Sequence, residues 1–256
     1  MVYFYRLLLV ITVAIISYVI GSIPNSVLIG KLFFHKDPRD SGSHNPGGTN
    51  AGRVLGKKAG VIVILLDGLK IVVPLYITFF LFTKCTPLME LMGYFENTAY
   101  NAFGIGNTLC ELVIYVSALF GIIGHCYSIF LKFSGGKAVS CYLGTACCLS
   151  YFTFILCGSI FFGSLRVKKY VSLSSLLCSS AFTIFSWVLY LIYAFNFDNS
   201  NVLFVLNCFT WFGNGPSICI YFPIVMTLGQ IILIIKHIPN IKRLKEGTEL
   251  KITWMK

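Results

Sequence analysis

Of 256 residues, 57 % are hydrophobic and 11 % charged, and the mean hydropathy is +0.82. Ordinary soluble domains carry about a quarter charged residues, so this balance excludes a soluble globular class. The net charge is +11, and its placement along the chain says more than its size.

Apolar runs cover residues 4–29, 59–82, 109–123, 138–163, 171–195 and 217–235. Crossing a ~30 Å hydrocarbon core takes roughly 20 helical residues, so an all-α integral membrane protein is predicted. Alternating segments of about ten residues, as in a transmembrane barrel, are absent. The first run lacks a small-residue cleavage pattern and is followed by further spans, so it reads as a helix rather than a signal peptide. The ten cysteines include the adjacent Cys147 and Cys148 but no metal-type spacing. They read as small hydrophobes in a reducing setting.

Between the first two runs lies "SGSHNPGGTNAGR", residues 41–53, without one large apolar side chain. Its glycines let the backbone turn and bring N–H groups near an anion. Ser43, Asn45, Thr49 and Asn50 supply donors beside Gly47 and Gly48, and Arg53 can fork onto phosphate oxygens. Inside the second run, Asp67 and Lys70 are three residues apart and share a helix face. Ions at that depth are costly and face the interior, so a structural pair supporting the loops is expected.

Further on, "GHCYSIFLKFSGGKAVS" places Gly135 and Gly136 before Lys137 at the start of an apolar helix, an arrangement suited to phosphate. Leu131 stands where the first glycine of a P-loop would be. If 138–163 crossed the membrane once, the basic cluster Arg166, Lys168 and Lys169 would lie on the far side. A short helical hairpin turning near residues 149–150 brings it back, for about seven segments in all. Ser172 and Ser175 follow the cluster, and "KHIPNIKRLKEGTE" after the last run offers His237, Asn240 and Glu249.

The cytoplasmic motif segments are 31–58, 124–138, 164–172 and 236–256. The basic residues concentrate there, 17 of the 20 falling in or beside these segments. Segments 83–108 and 198–201 are poor in basic residues and are assigned outside. The N-terminus is then outside and the C-terminus cytoplasmic. One membrane-embedded domain, 1–256, collects distant anion-binding motifs at one face. No nucleophile–base–orienter triad and no acidic cluster for a metal is visible. Asp37, Asp40, Asp67 and Asp198 are too dispersed for a metal-dependent phosphotransferase. A transporter for a small organic or phosphate-bearing anion is the alternative, but it predicts inverted repeats, which the sequence lacks.

The stretches "GSIPNSVLIGKL", "SGSHNPGGTNAGRVLGKKAG", "LLDGLKIVVP", "GHCYSIFLKFSGGKAV", "KKYVSLSS" and "KHIPNIKRLKEGTE" occur in the order found in bacterial acyl-phosphate:glycerol-3-phosphate acyltransferases. The chain resembles this PlsY family over most of residues 21–249, and less over 84–109 and 195–217. The resemblance implies transfer of a fatty acyl group from acyl phosphate to the 1-hydroxyl of sn-glycerol 3-phosphate, the first step of phospholipid synthesis. It implies no cofactor and no metal, no nucleic-acid partner, and a monomer in the plasma membrane with its site toward the cytoplasm. By motif position it makes Ser43, Arg53 and His237 catalytic, and it makes Asn45, Gly47, Gly48, Thr49, Asn50, Gly135, Gly136, Lys137, Ser172 and Asn240 substrate-binding. Glu249, like Asp67 and Lys70, becomes structural support. Three departures stand out: His44 and Ala138 where glycine is usual, and Ser134 where lysine is usual.

Overall fold

The computed structural model describes residues 1–93, 109–149, 151–195 and 219–252. The described residues hold α-helices and short 3-10 turns and no strand. The helices are α1 (Val2–Gly21), α2 (Asn25–Phe34), α3 (Gly48–Val54), α4 (Lys57–Lys84), α5 (Thr86–Leu91), α6 (Leu109–Cys126), α7 (Val139–Leu149), α8 (Tyr151–Lys168), α9 (Val171–Phe195) and α10 (Tyr221–Lys245). Five segments among them are long and apolar enough to cross a membrane: Val2–Phe34, Lys57–Lys84, Leu109–Leu131, Val171–Ile192 and Tyr221–Lys245. The expected external connections lie mainly at 94–108 and 196–218, outside the described residues.

Local chemistry sets the element ends. Pro24 lacks an N–H and ends the first helix, and the chain restarts at Asn25 as α2. Gly56 turns the chain into α4 with φ of 99°, in the left-handed half of the map open to glycine. At the α1–α6 crossing, a Cβ on Gly21 would strike the Gly121 carbonyl, and one on Gly124 would strike the Tyr18 carbonyl. Ser17 Oγ meets Ser117 Oγ at 3.0 Å in the same seam. Small residues and hydroxyl bonds hold membrane helices together where lipid tails remove the hydrophobic drive.

On α4, Val61, Ile62, Leu65, Leu69 and Val73 are exposed while Val63, Asp67, Lys70 and Ile71 are buried. The apolar outside and polar inside suit a hydrocarbon surround. The main core joins Tyr115, Tyr142, Phe182 and Phe222 from α6, α7, α9 and α10. Tyr115 stacks on Phe222 at 6.0 Å, and Tyr142 meets Phe182 edge-on at 5.4 Å.

The described residues of the 138–163 run fall in two helices, α7 and α8, and residue 150, near which the turn is expected, lies outside the described residues. α7 begins beside the Lys137 loop. α8 ends beside Lys169, whose carbonyl accepts the Ile252 N–H at 2.9 Å. The pair therefore leaves one end of the bundle and returns to it, as a hairpin does. The starts of α4, α7 and α9 and the ends of α6, α8 and α10 share that end.

Candidate active site

The first loop is more folded than its composition suggests. Asp37 caps a 3-10 turn and accepts a fork from Arg39 Nε and Nη2 at 3.0 and 2.7 Å. That pairing, with help from Lys31, holds its carboxyl at a pKa of about 2. Asn50 is buried, and its side chain knits the loop. Its Nδ2 donates to Pro38 O at 2.6 Å and Ser41 O at 3.1 Å, and its Oδ1 accepts the Ser43 N–H at 2.8 Å. Asn50, expected to bind substrate, thus also holds the loop together through both ends of its amide. Gly48 is likewise buried inside α3, where a Cβ would strike Ile64 of α4. Gly47 is the N-cap of α3, its N–H donating to Asn45 O at 2.9 Å. Asn45, Thr49 and Ser43 remain partly accessible on the loop. Arg53, one turn after Asn50, projects from α3.

The second loop also differs from the free N–H cradle expected of it. Gly135 N–H donates to Cys126 O at 3.1 Å and Gly136 N–H to His125 O at 3.0 Å. A Cβ at either glycine would collide with His125: with its carbonyl oxygen from Gly135, with its ring from Gly136. These glycines press the loop onto the end of α6; they do not present donors to a ligand. What the loop presents is half-buried Lys137. Two of the family departures sit where glycine's freedom matters: Ala138 has φ of 58° and His44 φ of 55°. Both keep the left-handed turn at the cost of Cβ strain.

The third segment closes the site. His237, Asn240 and Arg243 recur every three residues along α10, so they share a face. His237 Nδ1 lies 2.8 Å from Leu233 O. A carbonyl only accepts, so Nδ1 carries the proton and Nε2 is the ring's acceptor. After α10 the chain folds back, and Glu249 becomes a hub. Its Oε1 accepts from Ser172 Oγ at 2.8 Å and Asn240 Nδ2 at 2.6 Å, and its Oε2 from Arg243 Nε at 2.7 Å. The donors expected to meet substrate, Ser172 and Asn240, thus have an internal acceptor. Arg243 was missing from the sequence reading of the site, although its three-residue spacing from Asn240 was the available signal.

Electrostatics ties the three segments together. Loss of hydration brings the Lys137 pKa down to about 8, with Glu249 opposing and Arg243, Arg53 and Lys236 adding to the fall. Arg53 is lowered too, first by the surrounding protein and then by Arg243, with Glu249 opposing. Partial burial works to raise the Glu249 pKa, but the bonds from Asn240, Arg243 and Ser172 outweigh it and the net shift is down. His237 has Lys137 and Glu249 as charged neighbours. Arg243 pairs with Glu249 at 2.7 Å, and Arg53 and Lys137 lie near enough to feel the charge of both. Ser43 lies on the Arg53 loop, but among the described residues no side-chain bond joins it to the cup.

Asp67 and Lys70 do not enter this cup. Asp67 Oδ1 lies 3.1 Å from Lys70 Nζ and accepts from Asn25 Nδ2 at 3.0 Å. Lys70 also donates to Ile23 O at 2.8 Å, the carbonyl just before the Pro24 break. Among the described residues no group of three His, Cys, Asp or Glu side chains has the arrangement of a metal site, and the nine cysteines there are free thiols.

Fold and site together define an integral membrane protein, helical throughout its described residues, with a cluster of cationic side chains at one end. The chain belongs to the glycerol-3-phosphate acyltransferase family, whose pattern it matches over residues 11–247. It is 37 % identical to the glycerol-3-phosphate acyltransferase of Staphylococcus haemolyticus, over 97 % of this chain and 100 % of that one. It is 34 % identical to that of Mycoplasma mycoides subsp. mycoides, over 94 % and 92 %. The crystal structure of PlsY (YgiH), an integral membrane glycerol 3-phosphate acyltransferase, in its glycerol 3-phosphate form is similar with a TM-score of 0.67. That likeness covers 95 % of this chain and 96 % of the other at 26 % identity.

Proposed function

We propose that the protein moves a fatty acyl group from acyl phosphate to the 1-hydroxyl of sn-glycerol 3-phosphate, giving lysophosphatidic acid and inorganic phosphate. The observation that carries this reading is the surplus of cations over Glu249 in the cup, which suits a phosphorylated substrate and a phosphate leaving group. The substrate named for the relatives and for the solved structure is glycerol 3-phosphate.

Acyl phosphate is a mixed anhydride and already activated. The glycerol hydroxyl oxygen attacks the acyl carbon, a new C–O bond forms, and the bond to the phosphate oxygen breaks with its electron pair leaving on phosphate. The protein's task is to orient and to stabilise charge. Orientation alone supplies up to roughly 7–11 kcal/mol in the best cases. Arg53 and Lys137 stabilise charge growing on the phosphate and the carbonyl oxygen. Ser43 and Thr49 are partly accessible on the segment that carries Arg53. The hydroxyl proton passes either to His237 Nε2 or to a substrate phosphate oxygen. Near-normal turnover by His237→Gln assigns the phosphate oxygen; a loss of about 10²–10⁴-fold assigns the imidazole.

In the membrane arrangement we infer, the α7–α8 hairpin counts as two of seven segments, the N-terminus is outside, and the C-terminus and cup face the cytoplasm. The positive-inside rule supports this, since 17 of 20 basic residues fall on that side. The protein acts as a monomer in the plasma membrane, at the first step of phospholipid synthesis. The test is to supply purified protein with palmitoyl phosphate and labelled glycerol 3-phosphate, without magnesium or coenzyme A, and to look for lysophosphatidic acid. Product only with acyl-coenzyme A sinks the donor. Uptake of label into vesicles without product favours an anion transporter.

A further inference from the structure

We propose that His125, seated between Asp67 and Gly136, is a positioning residue that sets Lys137 for the phosphorylated acceptor. This rests on the acyltransferase reading above and adds to it a residue outside the cup.

The geometry starts from one buried carboxylate. Asp67 is 2 % exposed, and its Oδ1 faces Asn25 Nδ2, Lys70 Nζ and, at 3.8 Å, His125 Nδ1. The start of α2, the middle of α4 and the end of α6 thus meet at one oxygen. His125 is itself buried, and its far side is spent on the second loop. Its carbonyl accepts the Gly136 N–H, and its ring Nε2 fills the volume a Gly136 side chain would need. The next residue is Lys137, followed by the left-handed turn at Ala138. Lys137 therefore has its backbone fixed on one side by the imidazole and on the other by a strained turn.

The same cluster reaches the first loop. Asp67, Lys70, His125, Ser128, Gly136 and Pro46 line one small pocket. Ser128 Oγ adds a bond to Ser22 O at 2.6 Å. Buried ions that only fill space are easily replaced by apolar groups, and breaking such a pair leaves an uncompensated charge. Here the pair packs beside an imidazole, 3.8 Å from the Asp67 oxygen, that touches the backbone next to a substrate-binding lysine. Misplacement by about 1 Å away from the chemistry can cost on the order of 10²-fold.

The test is a double-mutant cycle at the ring contact, since residues in contact couple whereas distant, independent ones add. Full-length wild type, His125→Ala, Gly136→Ala and the double variant are purified. Each is assayed with palmitoyl phosphate and glycerol 3-phosphate, and melting temperature in detergent is recorded. Gly136→Ala is expected to raise KM for glycerol 3-phosphate by roughly 10-fold or more, with KM for palmitoyl phosphate changed less than about 2-fold. The double variant is expected to be no worse than His125→Ala, because the space vacated by the ring accepts the new methyl. Losses that multiply in the double variant overturn the proposal. So does a His125→Ala protein with a lowered melting temperature and an unchanged KM for glycerol 3-phosphate. If His125→Ala is not recovered folded, His125→Gln takes its place in the same cycle with the same criteria. Should the wild type make no lysophosphatidic acid, the donor reading fails. The cycle is then read from the rise in melting temperature caused by glycerol 3-phosphate, where the same non-additivity supports positioning and simple additivity overturns it.

Discussion

Two ionic clusters lie near the same end of the bundle and differ in how their charges are satisfied. In the Asp67 cluster, the carboxylate faces Lys70 and Asn25, and Lys70 also bonds the Ile23 carbonyl. Charge is balanced within the protein and the groups are buried. In the cup, Glu249 pairs with Arg243 alone, while Arg53 and Lys137 feel its charge but make no ion pair among the described residues. A closed cluster with matched charge holds helices in place. On the proposed function, the accessible cluster with surplus positive charge is the one that holds the anionic substrate. Residue type does not separate the two; pairing and solvent access do.

The comparison can be broken by removing one charge from each cluster. The largest effect belongs to Asp67→Ala, which leaves Lys70 buried beside its bare carbonyl. Loss of one partner of a buried pair costs about 3–5 kcal/mol, to be read as a large fall in melting temperature in detergent. The cup should respond differently. Arg53→Ala or Lys137→Ala is expected to lower kcat/KM by about 10²–10³-fold while leaving melting temperature near that of wild type. If both substitutions unfold the protein and Asp67→Ala only slows it, the roles assigned to the clusters are reversed.

A pH titration sharpens the contrast. Lys137 titrates near 8, because loss of hydration disfavours its charged form. On the proposed function the charged form, present below that value, is the one that binds phosphate. The kcat/KM for glycerol 3-phosphate should therefore hold up to about pH 8 and fall above it. A bound phosphate favours the ammonium form, so the fall in kcat should come at higher pH than the fall in kcat/KM. Lys137→Arg, with a guanidinium that stays charged, should lose this alkaline limb. The smallest effect is at the departure beside it. Ala138→Gly removes a Cβ at φ of 58° and should stabilise by roughly 1 kcal/mol, seen as a rise of a few degrees in melting temperature, with Lys137 still in place.

Much was legible in the sequence because the bilayer makes simple demands. Long apolar runs have to be helices, and polar ribbons between them have to sit at an interface. The hairpin could be read from the placement of Arg166, Lys168 and Lys169, since a single crossing would have put them opposite the other basic segments. Less legible was which polar residues face a ligand and which serve the scaffold. Asn50, Gly48, Gly135 and Gly136 looked like ligand groups in a list of residue types. The bonds of Asn50 to Pro38 and Ser41, and those of the two glycines to Cys126 and His125, turn them inward.

What the sequence by itself determined is the class of molecule and the inventory of the cup: helices set by apolar length, and the positions of Arg53, Lys137, His237 and Glu249 set by motif spacing. What only the tertiary structure decided is partnership. Glu249 meets Ser172 across 77 positions of chain, Asp67 meets Asn25 across 42, and His125 is pressed against Gly136. The physical reason is that hydrogen bonding and ion pairing depend on distances of about 3 Å. Helix packing sets those distances, and no local spacing encodes them.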